Sequence, residues 1–293
     1  MLTRQKTVLA ILERIGRPVR RTVLVKCAFL LRHQTCLRDD PTFYDFVPYK
    51  YGPFSFALYK ELGALREHRH IVTRRAAISL GARAARPSGT WIGQLPPSHR
   101  LAVDIIASRY ANMSRTALLR YVYQHYPWYA SRSTLRHIGS PEATRPERAR
   151  IAIYTAGYQG MSVDAFFDGL LRRGIRAILD VRANPVSRKY GFARRSLSRI
   201  AGRLGMDYHH LPALGIPSDQ RSHLDDPDSY RRLLNWYENQ ILPGRQTEIE
   251  HVVRLLRLEP SVLICMEADA NYCHRGRLAS AASTRTGLPV CHL

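Results

Sequence analysis

The chain has 293 residues, 45% of them hydrophobic, and its 45 basic and 23 acidic side chains give a formal net charge of +22 at pH 7. This length suffices for two domains with separate cores, and no stretch approaches the roughly eighteen consecutive apolar residues of a membrane-spanning helix. The composition therefore excludes a spanning helix, and the excess charge favours a polyanionic partner.

The compartment is predicted from the cysteines and from the start of the chain. Five cysteines are too few and too irregularly spaced for a disulfide framework, which predicts reduced thiols and a cytoplasmic protein. The first residues carry Glu13 inside an apolar repeat and lack a small-residue cleavage site. They predict an amphipathic helix of a domain rather than a secretory signal.

The positive charge is concentrated in the first half of the chain. Residues 1–150 hold 26 basic and 9 acidic side chains, a net charge of +17, and residues 151–293 hold 19 and 14, a net charge of +5. An acidic protein, an anionic membrane surface or a merely solvated face would also explain such an excess. We expect nucleic acid, DNA ahead of RNA, and no membrane partner. The sequence leaves the oligomeric state open.

Residues 1–136 are predicted to form a basic, mainly helical domain. Apolar residues recur at helical spacing around residues 8–15 and 23–31, and a further helix is predicted over 54–65 with Pro53 at its start. Residues 70–80 and 90–95 have the pattern of two β segments around a basic loop, and helices follow at about 98–112 and 114–126. Helices with a basic hairpin predict a winged-helix-like DNA binder.

Two motifs of this half resemble a known family. "KYGPFSFALYKELGAL" and "LLRYVYQHYPWYA" are similar to the helical Panacea domain, which implies an association with antitoxins. The aromatic residues in and around these motifs either stack on bases or pack the core between helices, and we expect packing. They are Tyr51, Phe54, Tyr59, Tyr121, Tyr123, Tyr126, Trp128 and Tyr129.

Residues 137–150 are the predicted linker, since they hold two prolines and a glycine without apolar periodicity. Beyond them, strands and helices alternate through 151–293. The predicted strands are 151–156, 175–181, 206–211, 262–267 and 289–293, and the predicted helices are 162–173, 192–204, 227–258 with a break at 242–244, and 273–286. Nearly continuous apolar strands between helices predict an α/β fold, with a parallel sheet covered on both faces in three layers.

Polar residues follow four of these strands, where ligands bind in open parallel sheets. Gly157 and Gly160 bracket a turn onto a helix N-terminus, which either binds an anion or is a plain turn. Arg182 is placed to grip a phosphate, and Asp180 either orients it, forms a structural ion pair or acts as a base. We predict a substrate or phosphate site formed by Gly157, Tyr158, Gly160, Arg182, Ser187, Arg188, His210 and Arg275.

The stretch "CMEADANYCHR" concentrates reactive side chains within eleven residues. Cys273 beside His274 at a helix N-terminus would be an activated nucleophile, whereas Glu267 would be a general base or nucleophile. Cys265, Cys273 and His274 with Glu267 or His209 would form a metal site, but the spacing lacks the paired C-x2-C of structural zinc. A buried cluster without chemistry is a further alternative. We predict no metal and no cofactor, and the predicted catalytic residues are Glu267, Asp180, Cys273 and His274.

Most of 151–293 resembles the domain of unknown function 488 family through G-Y-x-G, D-V-R, P-x-S-R, H-L-P-x-L-G, and C-x-E followed by C-H-R. The resemblance implies no activity. Its motif positions are Gly157, Tyr158, Gly160, Asp180, Arg182, Ser187, Arg188, His210, Gly215, Cys265, Glu267, Cys273, His274 and Arg275. A rhodanese loop does not fit, because Met266 and Glu267 follow Cys265 at once. A Cys-x5-Arg phosphatase loop fails because neither thiol has arginine six positions later.

The sequence as a whole predicts a nucleic-acid-binding protein with a pocket at the strand ends of its second domain. If the protein is an enzyme, we expect a hydrolase acting on DNA, a glycosylase ahead of a nuclease. A metal nuclease normally needs several clustered carboxylates, and only Asp180 and Glu267 are well placed. The alternative is a non-catalytic nucleotide or modified-base sensor in a defence or toxin–antitoxin system.

Overall fold

The computed structural model describes residues 1–81, 90–135, 138, 146–221 and 226–293. The chain divides into two compact units, Met1–Arg145 and Pro146–Leu293, called here the N-terminal and the C-terminal unit. Among the described residues, no helix combines the length and apolar character needed to cross a membrane.

The N-terminal unit is mainly helical. Its helices pack a core in which Leu9, Phe29, Leu58 and Val103 are fully buried. The elements are α1 (Thr3–Ile15), β1 (Val19–Arg20), α2 (Arg21–Gln34), β2 (Val47–Tyr49), β3 (Gly52–Phe54), α3 (Phe56–Glu67), β4 (Ile71–Arg74), β5 (Ala77–Leu80), α4 (Pro97–Tyr110), α5 (Arg115–His125) and α6 (Pro127–Ala130).

A three-stranded antiparallel sheet accompanies the first three helices. Its order is β1-β5-β4, and the β4–β5 hairpin turns at Arg75, whose φ is +54°. The helices and this hairpin agree with the predicted mainly helical, winged-helix-like unit, but β2 and β3 lie between α2 and α3, and the hairpin lies within 71–80 and not between 70–80 and 90–95. The prediction of helix packing for the aromatic motifs also fits the structure. Tyr123 and Tyr129 are buried in the core, whereas Tyr51 is 47% exposed.

Two local predictions in this unit are wrong. Residues 90–95 are not a strand, since Ile92–Gln94 form a single 3₁₀ turn. The Glu13 carboxylate of α1 accepts hydrogen bonds from the backbone N–H groups of Trp91 and Ile92, which leaves them unavailable to a sheet. Pro53 lies in β3, and α3 begins only at Phe56, where the Ser55 side chain caps it. The predicted basic loop falls mostly on 82–89, outside the described residues.

The C-terminal unit alternates strands and helices throughout. Its elements are β6 (Ile153–Gly157), α7 (Val163–Arg172), β7 (Ala177–Asp180), α8 (Arg194–Arg203), β8 (Asp207–His210), α9 (Pro227–Trp236), α10 (Gln246–Leu258), β9 (Ser261–Cys265), α11 (His274–Thr286) and β10 (Val290–His292). The predicted break between α9 and α10 is present, since a π turn and then the 3₁₀ turn Leu242–Arg245 separate the two helices.

All five strands of this unit pair in parallel, in the order β10-β6-β9-β7-β8. Leu179 and Leu263 join a core cluster with residues of α10 and α11, and the alternate residues Ile178 and Val262 are equally buried. Both faces of the sheet are therefore covered, as expected for a parallel sheet. Because β9 is central, Cys265 lies beside Gly157 and one position beyond Asp180 at the carboxyl edge.

Candidate functional site

Two thiols, a carboxylate and an imidazole meet at the end of β9. The Glu267 Oε2 atom lies 3.0 Å from Cys265 Sγ and 3.1 Å from Cys273 Sγ. His274 Nδ1 lies 3.9 Å from each sulfur. We call these four residues the Cys–His–Glu cluster. They come together because the chain turns through the 3₁₀ segment Ala270–Tyr272 and returns to the strand end at the first turn of α11.

The His274 ring is held in one orientation. Its Nε2 atom lies 3.0 Å from the Val181 carbonyl oxygen, and Tyr237 packs edge-on against the ring at 5.4 Å. A carbonyl oxygen only accepts, so Nε2 carries the hydrogen and the Nδ1 lone pair faces the two sulfurs. The imidazole is thereby fixed as an acceptor towards the cluster.

Burial and mutual contact shift the pKa values of the cluster in opposite directions. A hydrogen bond from Cys273 lowers the pKa of the Cys265 thiol, whereas burial raises the pKa of the Cys273 thiol. Burial opposes the charged form of His274, but the negative charge of Cys265 raises its pKa. Burial, and then the charge of Cys265, raise the pKa of Glu267. Loss of a proton is therefore favoured at Cys265, whereas the protonated form is favoured at Cys273, Glu267 and His274.

Arg221 faces this cluster, and the sequence did not single it out. Its Nη1 donates to Glu267 Oε1 at 3.3 Å, and its Nη2 lies 3.3 Å from His274 Nδ1. Arg221 ends the short turn Ser218–Arg221, more than forty residues before the motif that it contacts. It follows no strand and belongs to no spacing pattern, so the sequence carries no local signal for its role.

Asp180 and Arg182 form a separate, buried ion pair. The Arg182 guanidinium donates to both carboxylate oxygens, at 2.8 Å and 2.5 Å, and Tyr208 donates to Asp180 Oδ2 at 2.6 Å. Arg182 Nη1 also donates to the Tyr158 hydroxyl and the Phe192 carbonyl. Asp180 is fully buried and Arg182 is 5% exposed. These contacts favour the structural ion pair over a free base and a free phosphate-binding arginine.

The β6 turn is built against the Glu267 loop. A Cβ atom at Gly157 would lie 1.7 Å from the Glu267 carbonyl oxygen, so only glycine fits there. The Gln159 side chain accepts from the Ala268 N–H, and the Gln159 N–H donates to the Met266 carbonyl. Gly160 has a φ of +79°, which lets the chain turn towards α7. The G-x-x-G motif thus positions Glu267, and Gln159 is a second contributor that the sequence did not single out.

The remaining predicted residues lie around the cluster with other contacts. Arg275 is 1% exposed, and its guanidinium donates to the Glu267 and Ala268 carbonyls, so its described contacts clamp the loop. His210 Nε2 lies 3.0 Å from the Arg182 carbonyl, and the residue lines a cavity of about 390 Å³ with Arg254. Ser187 bonds within its own loop, and Arg188 is exposed.

Comparisons with known proteins support the C-terminal resemblance. Residues 162–282 match the family model described as "Domain of unknown function DUF488". The match begins after the Gly157–Gly160 turn and covers the Asp180–Arg182 pair and the whole cluster. No curated protein and no solved structure matches the chain. The predicted Panacea-like character of the N-terminal half stays a prediction.

The strand ends therefore carry two arrangements with different chemistry. The Asp180–Arg182 pair is fully engaged within the protein. The Cys–His–Glu cluster holds soft sulfur ligands, an oriented imidazole and a carboxylate whose side chain remains 15% exposed. The cluster is thus the arrangement suited to binding or proton transfer.

Proposed function

We propose that the protein binds nucleic acid, duplex DNA in particular, through its N-terminal unit, and that it uses Glu267 to hydrolyse a glycosidic bond of that DNA. The binding half rests on fold and charge together. Exposed basic side chains lie on α3, on the turn that follows it and on the β4–β5 hairpin. We call this set the α3–hairpin surface, and it consists of Lys60, Arg66, Arg69, Arg74 and Arg75. A helix and a hairpin that carry exposed positive charge suit a groove and its flanking phosphates.

The observation that carries the chemistry is the difference between the two carboxylates. Asp180 is fully buried and bonded to Arg182 and Tyr208, whereas Glu267 is partly exposed beside thiols and Arg221. Burial raises the pKa of Glu267, so this carboxyl retains a proton closer to neutral pH and suits a general acid. One available carboxylate also fits base excision better than a metal nuclease with clustered carboxylates.

The reaction proposed is hydrolysis of the bond between a base and its sugar. The target base is flipped out of the stack, water adds to the sugar C1′ carbon, and the carbon–nitrogen bond breaks. Glu267 donates its proton to the departing base nitrogen, and it recovers a proton from the attacking water. The products are a free base and an abasic sugar, and no oxidant or cofactor is consumed.

A second candidate is a non-catalytic sensor of a nucleotide or modified base. The observation in its favour is that Asp180 and Arg182 are bonded to each other and that Arg275 donates to two backbone carbonyls within the chain. In this case Glu267 shapes a binding site without turnover.

Glu267→Gln separates the two candidates. Labelled single- and double-stranded DNA, plain and base-modified, is incubated with the full chain, and products are resolved with and without alkali. We expect alkali-dependent breaks with the natural protein, and a rate at least about 100-fold lower with Glu267→Gln. DNA affinity should stay unchanged, because the substitution lies outside the α3–hairpin surface.

The matched control is Glu250→Gln, which changes an exposed glutamate of α10 and should cleave at the natural rate. Intact strands under every condition, together with salt-dependent binding, would contradict the enzyme and support the sensor. Undiminished cleavage by Glu267→Gln would show that the chemistry does not use this carboxylate. A natural protein that binds no DNA would overturn the proposal at its first step.

A further inference from the structure

We infer that Cys265, Cys273 and His274 bind a single transition-metal ion of the zinc class. Their ligand atoms, two sulfurs and Nδ1, all lie within 4.8 Å of one another. Thiolate and imidazole are the ligands that zinc prefers, and they select against magnesium and calcium, which bind oxygen. The inference concerns metal binding and does not depend on the proposed cleavage of DNA.

The distances fit a tetrahedral ion. Bonds of about 2.3 Å to sulfur and about 2.0 Å to nitrogen place a sulfur and a nitrogen ligand about 3.5 Å apart. Nδ1 of His274 lies 3.9 Å from both Cys265 Sγ and Cys273 Sγ. Each sulfur–nitrogen distance therefore needs to shorten by only about 0.4 Å to match that around a bound ion.

The surroundings of His274 also match those of a metal ligand. Ligating histidines usually donate their other ring N–H to a carboxylate or backbone carbonyl, which fixes the tautomer. Here Nε2 faces the Val181 carbonyl oxygen at 3.0 Å, and Nδ1 points towards the sulfurs. Among the described contacts of Nδ1 outside the cluster, binding an ion would disturb the one with Arg221 Nη2, which lies 3.3 Å away.

Charge balance favours an ion at the same place. Two thiolates neutralise a divalent cation, and the carboxylate of Glu267 is paired with Arg221. Without the ion, each buried sulfur lies within 3.1 Å of the same Glu267 carboxylate oxygen, and only protons are available to offset the negative charge of these groups. Glu267 Oε2 lies next to both sulfurs but its carboxyl is paired with Arg221, so a water in contact with this oxygen fills the fourth position.

The burial of these two thiols argues against the alternative in which Cys273 is a catalytic nucleophile. Cys265 is fully buried and Cys273 is 2% exposed, so neither sulfur presents the accessible surface of a catalytic nucleophile. The expectation of no metal came from spacing alone, since Cys-x7-Cys-His lacks C-x2-C. The fold nevertheless brings the three side chains together, because the Ala270–Tyr272 turn returns the chain from the end of β9 to the start of α11.

Metal content of the purified full chain tests the inference. We expect about one equivalent of zinc per chain, measured by inductively coupled plasma mass spectrometry. After removal by chelator, Co²⁺ should restore the site, with the charge-transfer absorption of cobalt–thiolate bonds and the d–d bands of a tetrahedral ion. Cys265→Ser and Cys273→Ser should each bind the metal more than about 100-fold more weakly.

The matched controls are Cys36→Ser and Cys291→Ser, which lie outside the cluster and should keep the ion and its spectrum. The cobalt spectrum is recorded on the natural protein, so the test survives a variant that fails to fold. Folded natural protein with less than about a tenth of an equivalent of any transition metal, and no cobalt–thiolate absorption, would overturn the inference. So would a Cys265–Cys273 disulfide, seen as an intact mass two hydrogens lighter under non-reducing conditions. DNA is absent from these measurements, so their failure is distinct from failure of the proposed cleavage.

Discussion

The two units treat a buried cation in opposite ways. In the N-terminal unit Lys26 is 2% exposed, and its one described hydrogen bond goes from Nζ to the Pro53 carbonyl at 2.8 Å. Burial, and then the charge of Arg115, lower the pKa of Lys26 to about 7. In the C-terminal unit, Arg182 donates to both oxygens of Asp180, and these hydrogen bonds raise its pKa despite burial.

This contrast follows the distribution of charge along the chain. The half that carries a net charge of +17 offers few carboxylates to its cations, whereas the half near neutrality pairs them within the fold. If the proposed function holds, the excess positive charge of the N-terminal unit serves an external partner, whereas Arg182 serves the internal architecture of the C-terminal unit. Removing one charge from the buried pair of the C-terminal unit should therefore lower stability, whereas removing charge from the N-terminal unit should change DNA affinity or the pH dependence of stability.

The largest effect is expected for Asp180→Asn. The change keeps the shape of the side chain but leaves the Arg182 guanidinium buried without a counter-charge. We expect the free energy of unfolding of the C-terminal unit to fall by about 3–5 kcal/mol, measured by urea denaturation. Asp228→Asn breaks an exposed ion pair with Arg231 in the same unit and should change stability little. A fully stable Asp180→Asn protein that has lost only activity would instead support the catalytic role that the sequence suggested for Asp180.

The fold was predictable where the spacing of apolar residues in the sequence matches the residues that are buried in the structure. Alternating apolar strands and helices in the C-terminal unit predict a parallel sheet because its inner strands β7 and β9 are buried on both faces. The predicted strand at residues 90–95 failed because an α1 side chain, Glu13, captures the backbone N–H groups of Trp91 and Ile92. A contact over such a separation in sequence leaves no local pattern.

The candidate site was predictable only as a location. Strand ends in a parallel sheet bring Asp180, Cys265 and Glu267 to one edge, and the sequence identifies these positions. It does not reveal that Asp180 is locked by Tyr208 or that Arg221 reaches Glu267. Side-chain partners depend on loop paths, and spacing alone does not determine those paths.

The buried lysine predicts a pH-dependent stability of the N-terminal unit. Below about pH 7 Lys26 is protonated in both states, and between about 7 and its ordinary value of 10.5 only the unfolded chain keeps the proton. The unfolded state then binds more protons, so stability rises with pH in this window, by at most about 1.4 kcal/mol per pH unit. Lys26→Met removes this rise and should be the more stable protein at pH 6.

Urea unfolding at several pH values, followed by the fluorescence of Trp91 and Trp128, measures this effect. Lys60→Met, which changes an exposed lysine of α3, should keep the natural pH dependence. If the natural protein and Lys26→Met have parallel stability profiles between pH 7 and 9, Lys26 retains its charge in the folded state and the contrast with Arg182 disappears.

The smallest effect is expected for the double substitution Arg74→Ala/Arg75→Ala on the β4–β5 hairpin. Both side chains are exposed, so folding should be unchanged while two phosphate contacts are lost. Affinity for duplex DNA, measured by fluorescence anisotropy over a range of salt concentrations, should fall about tenfold, and the salt slope should decrease by about 2. Arg195→Ala/Arg199→Ala removes the same charge from exposed positions of α8 in the C-terminal unit. Equal losses from both double variants would mean that binding follows total charge, and a loss confined to the hairpin variant would assign the DNA contact to the α3–hairpin surface.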